Sequence, residues 1–377
     1  MSPYDKLNIT PRTLLGPGPS SVHPRVLQAL AYPPVGHLDP QFLALMNEIQ
    51  VLLRYVFETE NELTLALPGT GTAGMEAALV NFIEPGDHVL IGVNGYFSER
   101  LCDMAGRYGA VVHRLERPWG QVISLEEIEA SLKKQPARIV CVVHAETSTG
   151  ALQPLNDLAD LVHRNGALLV VDCVTSLGGL PVSVDARGID IAYSCTQKCI
   201  GSLPGLAPIT ISPRACEALQ QRKTKVANWY LDLILLGQYW GQARIYHHTA
   251  PINSNYALHE ALRLIQEEGL TARFARHQAH AELLWTGLED LGMELIVPLS
   301  HRLPMLTTVR VPEHVDGTTI RKALLEEYNV EIGSGLGTLR DKIWRIGLMG
   351  YYSSSRENVA LLLAALRALL NSQLYLR

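Results

Sequence analysis

The feature that most constrains the fold of this chain is a regular alternation of short apolar segments with helical patterns between residues 63 and 215. Six of the apolar segments are rich in β-branched residues and are predicted as strands. They lie at residues 63–67, 88–93, 138–144, 167–171, 189–194 and 207–212. Strands that alternate with helices predict an α/β fold, with a mostly parallel sheet covered by helices on both faces.

Two of the intervening segments carry clear helix signals. In residues 72–83, Met75, Leu79 and Phe82 recur at helical spacing, and the Pro85-Gly86 pair is predicted to end the helix. In residues 124–132, Ser124 and Glu127 have the spacing of a capping box.

The pattern changes near residue 255, where a long helical stretch is followed by an α+β arrangement. Strands are predicted at 293–297 (MELIV), 307–311 (TTVRV) and 343–347 (IWRIG), with helices near 317–328 and from Arg356 onward. A chain of 377 residues is typical of one large domain plus a smaller one. We therefore expect an N-terminal arm (1–20), a large domain (21–254) and a small C-terminal α+β domain (255–377).

Composition and charge exclude several classes of partner. Charged residues make up 18% of the chain, the net charge is −5 and no basic run occurs, so neither nucleic acid nor an anionic membrane is an expected partner. The longest apolar stretches are too short to span a bilayer. The N-terminus lacks a signal-peptide pattern, and the C-terminal QLYLR carries no organelle address. The expected location is the cytoplasm.

Six cysteines are present, and all of them lie before residue 217. Their spacings match neither a zinc site nor a disulfide scaffold, so no metal site is predicted. Most lie in apolar segments, where cysteine behaves as a small buried hydrophobic residue.

Four places at predicted strand ends carry residues suited to chemistry, because ligands of α/β sheets bind beyond the carboxyl ends of the strands. The first is PGTGTAGMEAAL (68–79), in which a Gly-rich turn precedes a helix. Its free backbone N–H groups, with the hydroxyls of Thr70 and Thr72, suit a phosphate. Ordinary turn chemistry is an equal alternative for this segment alone.

The other three places each offer one ionisable side chain. Asp172 ends an apolar strand, where it is either a functional carboxylate or a structural cap. Lys198 follows a strand in a stretch with few charges, and shielding from water would make it an amine nucleophile, although most lysines are solvated. Arg345 lies within an apolar strand and would bind a carboxylate, of a substrate or of the protein itself. Together with the phosphate site, these groups are what pyridoxal phosphate (PLP) chemistry requires.

The order of motifs resembles that of the alanine–glyoxylate / serine–pyruvate aminotransferases, which are class V, fold-type I PLP enzymes. The resemblance covers nearly the whole chain. It rests on GPGPS (16–20), GTGTAGMEAAL, GVNGYFSER (92–100), HAETSTGALQPL (144–155), VDCVTSLGGLPVSVDARGIDIAYSCTQK (171–198), YHHTAP (246–251), RLPMLTTV (302–309) and RIGLMG (345–350). The 26-residue spacing between Asp172 and Lys198 is its most specific part (198 − 172 = 26).

The resemblance implies a role for each matching residue. Lys198 would form the Schiff base and move the proton, Asp172 would pair with the pyridinium nitrogen, and Arg345 would bind the substrate carboxylate. The remaining implied cofactor contacts are Thr70, Gly71, Thr72, Phe97, Thr147, Val174 and Gln197, with Tyr246 and Thr249 reaching the neighbouring subunit's cofactor. Two positions depart from the family pattern: Phe97 stands where a Trp is common, and Thr72 where some animal relatives have His.

The implied fold is a seven-stranded, mostly parallel sheet between helices, with a smaller α+β domain. The implied reaction is a ping-pong transfer of the amino group of alanine or serine to glyoxylate or pyruvate, in a homodimer with shared sites. The alternatives are transamination of 2-aminoethylphosphonate and cysteine desulfuration, of which the latter needs a late Cys that the chain lacks. From other classes, a nicotinamide-dependent oxidoreductase would need G-x-G-x-x-G early in the sheet, and GTGTAG (69–74) resembles that spacing, which leaves this alternative open. A non-catalytic binding protein would need neither Lys198 nor Asp172.

Overall fold

The computed structural model of the chain describes residues 7–374. The first six residues of the predicted arm and the last three of the C-terminal QLYLR lie outside this range. The strands in the described part are β1 (Thr13–Leu14), β2 (Leu63–Pro68), β3 (His88–Val93), β4 (Val111–Glu116), β5 (Ile139–Val143), β6 (Ala145–Glu146), β7 (Ala151–Leu152), β8 (Leu168–Asp172), β9 (Ile191–Tyr193), β10 (Leu206–Ile211), β11 (Leu306–Arg310), β12 (Val330–Glu331), β13 (Gly333–Ser334) and β14 (Ile343–Gly347).

Twelve α-helices occur in the same range. They are α1 (Pro24–Leu30), α2 (Pro40–Phe57), α3 (Gly71–Val80), α4 (Tyr96–Arg107), α5 (Leu125–Lys134), α6 (Leu158–Arg164), α7 (Pro213–Gln220), α8 (Leu233–Trp240), α9 (Ile252–Glu268), α10 (Leu270–Asp290), α11 (Gly317–Glu327) and α12 (Arg356–Leu374). None of the helices in residues 7–374 is both long and apolar enough to cross a bilayer.

The central sheet has seven strands in the order β2-β10-β9-β8-β5-β3-β4. Strands β9, β8, β5, β3 and β4 are parallel to one another, and β10 is antiparallel to both β2 and β9. The α/β fold with a mostly parallel seven-stranded sheet is thus confirmed, and all six predicted strands of the large domain overlap observed ones. The carboxyl ends of β3, β5, β8 and β9 lie at one edge, where the functional residues are expected.

The seventh strand, β4, is absent from the sequence prediction. Its residues, VVHRLE, alternate between exposed and half-buried, because β4 is an edge strand that pairs only with β3. An edge strand of this kind lacks the continuous apolar segment that marks the buried strands.

The helix predicted at 72–83 is shorter at its end, and the capping box is confirmed. α3 ends at Val80, five residues before Pro85, and the side-chain amide of the buried C-cap residue Asn81 donates to the carbonyls of Ala77 (2.9 Å) and Leu231 (2.8 Å). At the start of α5 the Ser124 hydroxyl accepts from the Glu127 N–H, and the Glu127 carboxylate accepts from the Ser124 N–H.

The C-terminal part forms a three-stranded sheet of order β11-β14-β13 with α11 and α12. The strand predicted at 307–311, the one at 343–347 and both helices are confirmed. The strand predicted at 293–297 is wrong, because this segment meets β11 in a single bridge between Leu295 and Val309 before Pro298 leads into a short 3-10 helix.

The described residues form two large apolar cores and a smaller cluster that contains Met305 and Met349, and the arm joins the second large core. Leu15 packs in the core of the C-terminal part, and β1 pairs in parallel with β12. α9 buries Leu258 and Leu262 in the core of the large sheet, whereas α10 contributes Leu284 to the second core. The domain limits at residues 20 and 254 stay predictions.

The cysteines behave as predicted. Five are buried and Cys216 is half-buried, and all six are free. Burial raises the pKa of each thiol, to about 11 for Cys102 and Cys199 and about 12 for Cys195, so these thiols are un-ionised near neutral pH.

Candidate active site

Lys198 lies in the turn between β9 and β10, beneath the N-terminal arm. Its Nζ donates to the carbonyl of Pro17, and the Ser20 hydroxyl donates to the Lys198 carbonyl at 2.9 Å. A Cβ on Gly18 would lie 2.4 Å from Nζ, so only glycine lets the arm pass this close. The GPGPS segment therefore forms one wall of the site.

The surroundings of Lys198 favour its neutral amine. Burial lowers the pKa of the ammonium, and the positive charge of Arg345 lowers it further, while Asp172 acts in the opposite direction. Lys198, Arg345 and Asp172 therefore lie near enough to one another for their charges to interact. A buried lysine with a lowered pKa is a usable nucleophile and base.

Asp172 ends β8 and is held by two donors. Its Oδ1 accepts from the Val174 N–H and its Oδ2 from the Tyr193 hydroxyl, each at 2.8 Å. Tyr193 stands opposite Asp172 in the β8–β9 register. Burial raises the pKa of the Asp172 carboxyl to about 6, against the effect of these hydrogen bonds. A cation placed beside this carboxylate would be strongly stabilised.

The start of α3 has the features expected of a phosphate site. Thr70 is its exposed N-cap and makes no side-chain cap bond. In the described chain, no hydrogen bond is present from the Gly71 or Thr72 N–H. Arg100 donates to the Thr72 hydroxyl at 3.0 Å, which brings a cation to the same place. Free N–H groups, the helix dipole and a guanidinium favour a bound phosphate.

Gly71 is packed against the strand ends that carry the ionisable groups. A Cβ at this position would lie 3.0 Å from Val174 Cγ2 and 3.2 Å from Cys195 Cβ. The phosphate site and the Asp172 carboxylate are therefore adjacent, with Val174 between them.

Phe97 and Thr147 lie on the opposite wall. Phe97 is half-buried in the first turn of α4, and the Arg100 guanidinium lies 5.1 Å from its ring centroid. Thr147 is buried, and its carbonyl accepts from Arg345 Nη1 at 3.3 Å. Each of the two residues thus contacts an arginine, Phe97 through its ring and Thr147 through its carbonyl.

Arg345, on β14, reaches from the C-terminal part into this site. It is 7% exposed, and its Nε donates to the Ser334 carbonyl at 2.6 Å. Within residues 7–374 it forms no ion pair with a carboxylate, and burial lowers its pKa to about 10. A buried guanidinium with only carbonyl partners is well suited to bind an incoming carboxylate.

The residues present fit PLP. A buried neutral amine, a buried carboxylate and a free helix N-terminus match the aldehyde, the ring nitrogen and the phosphate, respectively. The side-chain Oε1 of Gln197 is buried without a hydrogen-bond partner in the described chain, and rotation of this amide would present its N–H groups to an anion. The exact contact made by each residue stays a prediction.

Tyr246 and Thr249 are the two predicted site residues that a single chain does not bring to this site. Both are exposed, and the Tyr246 ring lies 5.1 Å from that of His37. Their predicted role requires a second subunit, and it stays a prediction.

Sequence reasoning missed four residues that the structure places around the site. Tyr193 holds Asp172 and Arg100 lies at the phosphate end, as described above. Glu146 is fully buried between α4 and the loop that carries Thr147. Buried Arg273 of α10 donates to the Cys199 carbonyl at 2.6 Å and so fixes the turn that follows Lys198. A tyrosine inside an apolar strand is a usable signal, because its buried hydroxyl needs a partner.

Comparison with known proteins gives a consistent result. The family model "Aminotransferase class-V" matches residues 18–361. The crystal structure of alanine–glyoxylate aminotransferase from Nostoc sp. superposes with a TM-score of 0.96, covering 97% of each chain at 58% identity.

Two curated relatives are similar to almost the same extent. The (S)-ureidoglycine–glyoxylate transaminase of Bacillus subtilis is 41% identical over 377 aligned residues, which cover 95% of this chain and 90% of the relative. The alanine–glyoxylate aminotransferase of Callithrix jacchus is 42% identical over 365 residues, covering 96% of this chain and 88% of the relative.

Proposed function

Because the chain belongs to the class V aminotransferase family, whose members depend on PLP, we propose that it transfers the amino group of alanine, or of serine, to glyoxylate or pyruvate. The observation that carries this proposal is Arg345, a buried guanidinium without a carboxylate partner in the described chain, beside the amine of Lys198. Both an amino acid and a 2-oxo acid present one carboxylate to such a group. The 58% identity to the Nostoc alanine–glyoxylate aminotransferase supports small substrates.

Bound PLP supplies an aldehyde that takes up amino groups and a ring that accepts electron density from the bonds broken at the substrate Cα. Lys198 Nζ, whose pKa is lowered by burial, accepts the proton that leaves the substrate Cα and returns it later. Asp172 keeps the ring nitrogen protonated, and Tyr193 and Val174 hold its carboxylate in place. Arg345 orients the substrate, so that two substrates use the same site in turn and ping-pong kinetics result.

The two reactions on the same fold that compete with this proposal are less well supported. A phosphonate substrate would favour several cations beside Arg345, but Arg100 is engaged with Thr72 at the phosphate end. Cysteine desulfuration needs an exposed cysteine near the substrate, whereas the chain has none after Cys216.

A donor–acceptor panel on the purified protein tests the substrate assignment. Alanine, serine and (S)-ureidoglycine serve as donors, and glyoxylate and pyruvate as acceptors. We expect the highest kcat/KM for alanine or serine as donor. A clear preference for ureidoglycine, or for 2-aminoethylphosphonate in a parallel assay, would replace the proposed substrate and leave the aminotransferase family assignment intact.

Replacement of Arg345 by alanine should weaken capture of both substrates. A charged hydrogen-bonded pair contributes about 2–3 kcal/mol, so kcat/KM should fall by about 10²-fold, mainly through KM. Arg310→Ala is the matched control, because Arg310 lies on the neighbouring strand, where it pairs with Glu294 at the surface. Steady-state kinetics with alanine and glyoxylate measure both variants, and an unchanged KM in Arg345→Ala would remove Arg345 from the site.

We further propose a homodimer with shared sites, located in the cytoplasm. Tyr246 and Thr249 lie on an exposed surface that also contains the apolar side chains of Trp229, Ile234 and Ile245, which are 44–62% exposed. Exposed apolar patches of this kind commonly mark subunit interfaces.

Mixing two inactive variants tests the shared site. Subunits with Lys198→Ala are mixed, under exchanging conditions, with subunits that carry both Tyr246→Ala and Thr249→Ala. Each hybrid dimer then contains one site without either defect, so activity should rise above that of both parents. No recovery, despite hybrid formation verified by native mass spectrometry, would contradict the assignment of Tyr246 and Thr249 to the partner's cofactor.

A further inference from the structure

Helix α4 begins with a residue that cannot cap it. Its N-cap is Gly95, which has no side chain to accept from the first free N–H groups of the helix. Those N–H groups belong to Tyr96, Phe97 and Ser98, and Phe97 is the predicted wall of the cofactor site. Their acceptors therefore have to come from another part of the chain.

The acceptors come from the loop that follows β5. Glu146 Oε2 accepts from the N–H groups of Phe97 (3.1 Å) and Ser98 (3.3 Å). The Ser148 hydroxyl accepts from the Tyr96 N–H at 2.9 Å and donates to Glu146 Oε1 at 2.6 Å. The Ser148 N–H also donates to Oε1, at 3.1 Å. One carboxylate and one hydroxyl thus replace the missing cap.

Four donor groups surround the carboxyl of Glu146. It is fully buried, and its two oxygens accept from the N–H groups of Phe97, Ser98 and Ser148 and from the Ser148 hydroxyl. Burial raises the pKa of Glu146, and the four donors oppose that rise. Glu146 also lies close enough to Arg345 and Asp172 for its charge to raise the pKa of both groups.

The position of Gly95 follows from the same contact. A Cβ on this residue would lie 2.3 Å from Glu146 Cγ and 2.6 Å from the Ser148 hydroxyl. The glycine that cannot cap the helix is therefore also the residue that lets Glu146 reach it.

Glu146 fixes two walls of the site at once. Its carboxylate holds the backbone of Phe97, and the next residue, Thr147, offers its carbonyl to Arg345. We propose that Glu146 is a positioning residue that caps α4 from the end of β6 and so fixes the positions of the Phe97 ring and the Arg345 guanidinium around the cofactor. This inference rests on the cofactor site of the proposed function, and not on the identity of the amino donor.

Glu146→Gln tests the inference in the cofactor-free protein and by cofactor titration. The carboxamide turns an N–H group toward one of the existing donors, so the amides at the start of α4 should exchange with deuterium about tenfold faster. The Kd for PLP, measured by absorbance titration of the apoprotein, should rise by about tenfold. Neither measurement depends on the substrate panel, so failure of the alanine assignment would leave both results unchanged.

Glu84→Gln is the matched control. Glu84 is also a buried carboxylate that caps backbone N–H groups, those of Lys223 (2.9 Å) and Thr224 (2.8 Å), but it lies away from the site. The Glu84→Gln variant should have a lower Tm but an unchanged Kd for PLP and unchanged amide exchange at the start of α4. Equal effects of the two variants on α4 exchange and Kd would show a merely structural role for Glu146 and overturn the proposal.

Ser148→Ala decides the question if Glu146→Gln does not fold. Removal of this hydroxyl deletes one cap and one of the four donors to Glu146, so the exchange of α4 and the Kd for PLP should each rise by about threefold. Wild-type values for both quantities, in whichever of the two variants folds, would contradict the positioning role.

Discussion

Replacing Lys198 with alanine is expected to lower kcat by about 10⁴-fold or more and to remove the visible absorbance band of the bound cofactor. The reason is that one amine performs two tasks, because it holds the cofactor covalently and moves the substrate Cα proton. Burial lowers the pKa of this amine, which favours the neutral, nucleophilic form. A single-turnover assay with alanine, followed by absorbance, measures the chemical step directly.

Lys134→Ala is the control for this prediction, since Lys134 is an exposed lysine at the end of α5. It should retain wild-type kcat and the cofactor band. Full activity in Lys198→Ala would refute the assignment of the reactive amine.

Asp172→Asn should lower kcat in the PLP-bound protein, whereas it should raise the stability of the cofactor-free protein. With PLP bound, the ring nitrogen loses its anionic partner, and kcat should fall by about 10²–10³-fold, as for loss of one preorganised electrostatic group. Without the cofactor, the buried carboxylate forms no ion pair among residues 7–374 and its pKa is raised by burial, so its removal should stabilise the fold. The Tyr193 hydroxyl can reverse its hydrogen bond to suit the new amide.

The pH dependence of the cofactor-free effect follows from the raised pKa of Asp172. The folded protein holds the proton up to about pH 6, whereas an unfolded aspartic acid loses it near 3.8. Folded wild type therefore loses stability as the pH rises from about 4 to above 6, by up to about 3 kcal/mol at 1.36 kcal/mol per unit. Asp172→Asn apoprotein should be the more stable at pH 8, and the difference should vanish below about pH 4.

Asp190→Asn is the control for Asp172→Asn. Denaturant unfolding of the two cofactor-free variants measures the free energy of unfolding of each. Asp190 is also buried, but it has His163 and the Leu169 N–H as partners at 2.8 Å, so its removal should destabilise the fold. Destabilisation of the Asp172→Asn apoprotein at pH 8, of similar size, would show that Asp172 is a structural residue rather than a carboxylate awaiting a cation.

The elements that sequence reasoning predicted well are those whose pattern is decided locally. β3 and β14 match their predicted ranges because a short segment that is apolar at most of its positions is favoured inside a sheet. β4 and the wrong strand at 293–297 depend on neighbours instead. β4 pairs although its surface is half polar, and residues 293–297 are apolar enough for a strand but meet β11 at one point only.

The same division applies to the site. Lys198, Asp172 and Arg345 could be predicted because a charged side chain in an apolar strand or strand end demands a reason, and the structure shows that their charges interact. The cap that Glu146 provides could not be predicted, because a single acidic residue in a loop gives no sign of the distant helix that it serves. The approach of the GPGPS arm to Lys198 could not be predicted either, because Pro17 and Lys198 are 181 residues apart in the sequence.

The central claim is that the amine of Lys198 carries the cofactor at the carboxyl edge of the sheet. Reduction of the PLP-loaded protein with borohydride, followed by proteolysis and mass spectrometry of the peptides, tests it directly. We predict that the pyridoxyl group is found on the peptide that contains Lys198, with one group per chain. Attachment to any other lysine, or no covalent attachment in a fully loaded protein, would contradict the account.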